Sequence, residues 1–242
     1  MVSTGGSNPL DMGSNPITPV IIIIDIDCYS MYNNNELLYK KGGYVMTSIF
    51  DVAKYILNKK GTITSWELQK LCYYCKAWSL ALGEGEMFPE KFEAWKDGPA
   101  CRTLFAEHRG NFQVSSLDIS KGSVENISPN SLDIINAVLD VYKSMDGEML
   151  REQTHSEKPW IIARNGLSDN EICNTVIDDN LMRKYYRNSS MFDNIDDLVL
   201  EHRAIRRINT KNEKTYSLLE VVNMLGLTVE DITNAEDVDI ES

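Results

Sequence analysis

Cys72 and Cys75 form a C-x-x-C, a spacing that can seat a zinc ion or a redox dithiol, and Cys101 and His108 are the side chains that could complete a four-ligand set. Both cysteines fall on the apolar side of a strongly helical run, and neither a second C-x-x-C nor an H-x-x-H accompanies them. Burial as small hydrophobes therefore accounts for them better than ligation, and the expectation is no metal and no cofactor. A metal-dependent enzyme stays open only as the reading that rests on Cys72, Cys75, Cys101 and His108. The three histidines, His108, His155 and His202, are too scattered for a Ser-His-Asp or Cys-His arrangement. No G-x-S-x-G, Walker loop, G-x-G-x-x-G or H-E-x-x-H occurs. The residues point to a protein that is not an enzyme and has no small-molecule substrate.

The second chemical resource is aromatic. Trp66, Trp78, Trp95 and Trp160, with Tyr73 and Tyr74, supply large amphipathic rings that serve as core or as interface anchors. On a helix Tyr73 and Tyr74 project about 100° apart, so a narrow apolar stripe cannot hold both. One of them, with Gln69 or Lys70, is expected to face a partner.

The elements that must position these residues are helical. Ser48 and Asp51 match a capping box, Ile49, Val52, Ala53, Ile56 and Leu57 share one face, and Lys59-Lys60-Gly61 closes the turn. Thr64 and Glu67 open a second helix whose stripe is Leu68, Leu71, Cys72, Cys75, Trp78, Ser79 and Leu82, ended by Gly83. Residues 84–98 read as a loop with an extended piece at 92–95. Asp97-Gly98-Pro99 makes a turn that launches a third helix with Pro99 at its first position and Gly110 past its end. Apolar residues between 112 and 127 around Lys121-Gly122 predict a β-hairpin. Pro129 starts a helix through Ile135, Val138, Leu139 and Tyr142, shorter helices follow at 148–154 and 159–164, and Ser168 with Glu171 caps another through Ile172, Val176, Leu181 and Tyr185. The fold class is mainly α (α+β): a helical domain with a small β-hairpin.

Three regions divide the 242 residues. Residues 1–45 carry Gly, Ser, Asn and Pro without helical or strand period and read as a flexible leader. They hold Gly-Ser-Asn-Pro twice, a tetrapeptide that the T-loop DNA of a tRNA gene can encode. A translated leader ahead of a true start at Met46 and an ordinary flexible tail both fit. Residues 46–190 form the domain. Residues 191–242 form an acidic helical tail, with six acids and no base from Thr228 onward, expected to lack a core of its own and to order against something else.

A net charge of -12 repels phosphate backbones, which makes nucleic acid an unsuitable partner and favours basic proteins. The five cysteines, odd in number and irregularly spaced, fit a reducing cytoplasm. The aliphatic run at 20–24 is far too short to span a bilayer and lacks the basic flank of a signal peptide.

Leu68-Gln69-Lys70-Leu71-Cys72-Tyr73-Tyr74, then Ala77-Trp78, Phe88, Glu93-Ala94-Trp95 and Gly98-Pro99, resemble the LQKLLYY...AW...F...EAW..GPV signature of the SocA-like Panacea antitoxin domain, met also in phage-associated GepA-like proteins. His155 with Pro159-Trp160 is similar to the family's downstream H...PW element. The departures are Ala100, where a β-branched residue is usual, and Cys72, where Leu is common. The resemblance spans about residues 47–186. It implies a helical domain with a small β element that neutralises a toxin encoded by an adjacent gene. In one branch it also implies an adaptor that presents the toxin to a AAA+ protease. On that reading the partner-binding candidates are Gln69, Lys70, Tyr73, Tyr74, Trp78, Trp95, Asp97, His155 and Trp160. A weaker similarity to the toxin-wrapping ends of small antitoxins adds Arg203, Arg206, Tyr216, Leu219 and Val222, against the plain reading of a surface helix pair packed on the domain. A phage or host regulatory adaptor with a non-toxin client is the alternative.

Overall fold

Ser48 caps helix α1 (Ile49–Lys60): its hydroxyl accepts from the Asp51 N–H, and the Asp51 carboxylate accepts from the Ser48 N–H at 2.6 Å. Ile49, Val52, Ala53, Ile56 and Leu57 are buried, as their spacing predicts, and Gly61 ends the helix at φ 78°. The structure, a computed structural model, describes residues 46–168 and 170–209, together with Glu220, Asn223 and Thr228. The first two ranges lie in a compact unit that runs from Glu36 to Lys211; in the chain's other unit, Glu220 and Asn223 are helical. The leader with its two repeats, and Tyr216, Leu219 and Val222, lie outside the described residues.

After a two-residue strand β1 (Ile63–Thr64), helix α2 (Ser65–Ala81) begins with the Thr64 hydroxyl accepting from the Glu67 N–H at 3.2 Å. Its burial corrects the expected stripe, because every residue from Glu67 to Ala81 is buried. α2 is the axis of the domain: α1, a β-hairpin and three later helices surround it, so no side is left for water. Lys70, Lys76 and Gln69 on its flanks must then find internal partners.

The hairpin is formed by β2 (Glu93–Trp95) and β3 (Gly98–Ala100), antiparallel with Glu93 opposite Ala100, Ala94 opposite Pro99 and Trp95 opposite Gly98. Pro99 therefore belongs to a strand, and helix α3 (Arg102–Glu107) starts three residues later than its turn signal suggests. Contacts on both sides of Pro99 fasten this strand to α2: Gln69 Oε1 accepts from the Cys101 N–H at 2.8 Å, and Gly98 at φ 93° lies against Lys70.

No hairpin forms around Lys121-Gly122. Strand β4 (Gln113–Val114) pairs with β1 instead, and the chain continues through short 3-10 turns at Ser116–Asp118 and Val124–Asn126. Gly122 serves close approach, since a Cβ there would sit 2.7 Å from the Asp51 nitrogen. The Asp51 carboxylate also accepts from the Ser123 N–H at 2.5 Å and from Asn126, which fastens this loop to the start of α1.

Helices α4 (Pro129–Val141), α5 (Gly147–Ser156) and α6 (Lys158–Arg164) fall where Pro129 and the two short apolar runs predict. The next helix does not. Ser168 and Glu171 make their capping contact at 2.7 Å, yet the chain stays irregular to 178, and α7 (Asp179–Arg187) is capped by Asp178. The backbone of the intervening segment is claimed elsewhere: Ala94 donates to the Thr175 carbonyl at 2.9 Å and Ile177 to that of Phe92 at 2.8 Å, as an antiparallel bridge that sets Val176 opposite Glu93 in β2. A helix through Ile172 and Val176 would forfeit those bonds.

Helix α8 (Phe192–Asn209) packs on α4 with Ile195 and Val199 buried, inside the same compact unit. Arg206 reaches the buried Asp133 at 2.8 Å. No helix among the described residues is long and apolar enough to cross a membrane.

Candidate functional site

The first turns of α2, the hairpin, α3 and residues 172–174 enclose a cleft of about 520 Å³. Its walls are Trp66, Trp95, Phe105 and Ile172, with Gln69, Lys70 and His108 below and Lys96 and Arg102 at the rim. Trp95 packs edge-on against Phe105 with centroids 5.1 Å apart, and the Arg102 guanidinium lies 5.3 Å from the Trp95 ring while its Nε pairs with Glu93 at 2.9 Å. The volume is in the range of specific ligand or side-chain pockets.

Lys70 is buried with its ammonium donating to the Asp97 carbonyl in the hairpin turn. Burial pushes its pKa down to about 7, against the pull of the Asp97 carboxylate, and Arg151 adds to the depression. Gly98 makes the path possible: a Cβ there would stand 2.7 Å from Lys70 Cε and 2.9 Å from Thr154 Oγ1. Gln69 meets the Cys101 backbone through both ends of its amide, accepting from N–H and donating to the carbonyl at 3.4 Å. Because that geometry assigns the Gln69 nitrogen, the 3.2 Å contact to His108 Nε2 makes Nε2 the acceptor and leaves the ring proton on Nδ1. Burial lowers the His108 pKa, which favours the neutral ring.

Behind the cleft, α2 meets an aromatic cluster around one acid. Glu157, between α5 and α6, is buried and accepts from Tyr186 Oη at 2.5 Å and Tyr74 Oη at 3.1 Å. Burial raises its pKa to about 7, and the two tyrosine hydroxyls and Gln153 offset part of the rise. Tyr74 stacks on Tyr142 at 4.1 Å and 15°, Tyr73 and Trp78 meet Tyr186 edge-on, and Trp78 Nε1 donates to Tyr142 Oη at 3.2 Å. One carboxyl thus ties α2, α7 and the α5–α6 junction together.

The sequence-derived candidates divide by depth. Gln69, Lys70, Tyr73, Tyr74 and Trp78 are all buried, which corrects the expectation that one of the two tyrosines faces outward. Trp95 and Asp97 are partly exposed in the cleft wall and the hairpin turn. Trp160 is buried, donates Nε1–H to the Trp95 carbonyl at 2.9 Å, stacks on His155 with centroids 4.0 Å apart, and has the Arg164 guanidinium 4.8 Å from its ring. Gln69, Lys70, Trp95 and Asp97 are thereby brought together at the cleft, with Trp160 fastened behind it. Arg203 and Arg206 contact Glu84 at 3.0 Å and Asp133, holding α8 to the domain.

Arg164 and Glu157 were not legible as site residues. Arg164 gathers the carbonyls of Ala94, Ser168 and Glu171, and the partners of Glu157 lie 29 and 83 residues away, so no local spacing reveals either. Cys72 and Cys75 are buried with thiols pushed up by desolvation, the wrong direction for a thiolate ligand or nucleophile. Among the described residues no group of three or more His, Cys, Asp or Glu is placed to hold a metal ion.

Residues 68–161 match the family model of the antitoxin SocA-like, Panacea domain. No curated protein and no solved structure matches the chain. The matched stretch contains most of α2, the whole hairpin, most of the cleft and Glu157, and stops before α7 and α8.

Proposed function

We propose, from the antitoxin SocA-like Panacea domain that residues 68–161 match, that this protein is the antitoxin of a type II toxin-antitoxin system and neutralises a protein toxin encoded beside it by direct binding. That match is the observation that carries the reading. The chain's net charge of -12 favours a basic protein partner. Ile161, Ile162, Ile172 and Val176 supply solvent-facing apolar surface of the kind that protein interfaces use. Within the reading the protein is a binding protein rather than an enzyme, and delivery of the toxin to a AAA+ protease is a second role of the same complex.

Co-expression tests it. The neighbouring gene product, induced alone, is expected to arrest growth. This chain restores growth when supplied with it and co-purifies with it as a stoichiometric complex. A neighbour that is harmless, or toxic but neither rescued nor bound, overturns the proposal. Toxin half-life with and without the chain, in cells that have or lack the protease, tests the delivery role.

A further inference from the structure

Strand β2 has a second neighbour whose outer edge is open. Thr175 and Ile177 turn their backbone groups to β2, through the bonds from Ala94 and to Phe92, and Val176 stands opposite Glu93. Antiparallel alternation therefore turns the N–H and C=O of Asn174 and Val176 the other way, where they meet no partner among the described residues. The segment reads Ile-Cys-Asn-Thr-Val-Ile, β-branched at four of six positions, with no charge and no proline. Ile172 is 83% exposed and Val176 51%. Exposed edges are ordinarily guarded by lysine, proline or a bulge, because an unguarded edge recruits another strand. This one has none of those guards.

The same segment runs into the cleft, where Ile172 and Asn174 form part of the wall. Of the cations there, Arg102 is paired with Glu93 and Lys70 is buried against the Asp97 carbonyl, which leaves Lys96 as the exposed cation at the rim. The geometry points to β-augmentation: the open edge at residues 172–177 pairs with an extended segment of a partner polypeptide. That segment places a bulky apolar side chain between Trp66, Trp95 and Phe105 and an acidic residue beside Lys96. Main-chain bonds to Asn174 and Val176 supply the register, and the cleft supplies the selectivity. The inference deepens the antitoxin reading by naming the toxin element that is gripped, and it rests on that reading for the partner's identity.

The test uses the intact purified chain. Panning random linear peptides displayed on phage is expected to enrich an aromatic or large aliphatic residue close to an acid. Titration of the enriched synthetic peptide then compares wild type with Asn174→Pro, Asn174→Ala and Lys96→Glu. Asn174→Pro deletes an edge donor that the fold itself does not use and obstructs the incoming strand. It is expected to weaken binding about tenfold or more, as loss of one or two strand bonds implies. Asn174→Ala, which keeps the backbone donor, weakens binding less than Asn174→Pro does, and Lys96→Glu weakens it severalfold. In wild type, amide exchange at Asn174 and Val176 slows when peptide binds, a readout that stands even if the proline variant misfolds. No enriched peptide, an enriched peptide indifferent to Asn174→Pro, or unchanged exchange at both amides overturns the inference. Growth rescue by wild type with any of those results removes the inference and leaves the antitoxin reading. Peptide binding by strand pairing without rescue removes the antitoxin reading and keeps the augmentation site.

Discussion

Glu157→Gln is expected to make the protein more stable at pH 8 and not at pH 4.5. In the fold the Glu157 carboxyl is held at about 7, against an ordinary value of 4.5, with burial as the principal cause. Unfolding releases it to water, where it ionises near that ordinary value. The stabilising contribution of this raised group is complete below pH 4.5, declines as pH rises, and is lost above about 7. At roughly 1.4 kcal/mol per tenfold change, the gap between the two values costs the folded state about 3 kcal/mol at pH 8. Glutamine carries no charge at any pH, and its amide can still meet Tyr74 and Tyr186, which stand 3.1 and 2.5 Å from the present carboxylate oxygens. One of those contacts must reverse its polarity, at a cost of about 1 kcal/mol. The net expectation is a gain of about 2 kcal/mol at pH 8, a shift in Tm of roughly 4–8 °C for a protein of this size. Urea unfolding of both proteins at half-unit steps of pH from about 4.5 to 8.5 tests it. Through Glu157 the wild-type free energy falls between about pH 4.5 and 7 and levels off above that, and the variant lacks this fall. Parallel profiles, or a variant less stable than wild type at pH 8, would refute the assignment of a buried acid with a raised pKa.

Lys70 has the opposite sign. Its folded value of about 7 lies below the ordinary 10.5, so its contribution is complete above 10.5 and is lost as pH falls through 7; Lys70→Met is expected to flatten the rise in stability between pH 7 and 10, checked by the same titration. Gly98→Ala adds a Cβ at φ 93° and 2.7 Å from Lys70 Cε, and a loss of about 2–3 kcal/mol is expected by thermal unfolding. Ser48→Ala removes the α1 cap and should cost about 1 kcal/mol, with exchange of the first α1 amides rising first.

Much of the fold is local enough to read from residues in order. Ser48 with Asp51, Thr64 with its following helix, and Pro129 each mark a start where the structure has one, because a cap needs only groups three residues apart. Signals that compete with distant partners mislead. Lys121-Gly122 resembles a hairpin turn, but its glycine is needed to approach α1. Ser168 and Glu171 make a capping contact, yet Arg164 and β2 claim the backbone that a helix after them would use. The candidate site shows the same division. The run Gln69-Lys70, Trp95 and Asp97-Gly98 stands out by residue type, and these residues do meet around one cleft. The buried state of Tyr73 and Tyr74 does not stand out, since the stripe argument assumes a helix with a wet side and α2 has none.

The residue order by itself determined the helices that cap and bury locally, the acidic charge and the antitoxin-domain resemblance, because these depend on residue identity and short spacing. Only the tertiary structure decided that α2 is enclosed on every side, that the Glu157 carboxyl is buried among tyrosines from two other helices with its pKa raised, and that the segment around Val176 bridges to β2 beside a cleft. Each of those depends on which backbone groups and charges lie within a few ångströms after folding, and separation along the chain carries no record of that distance.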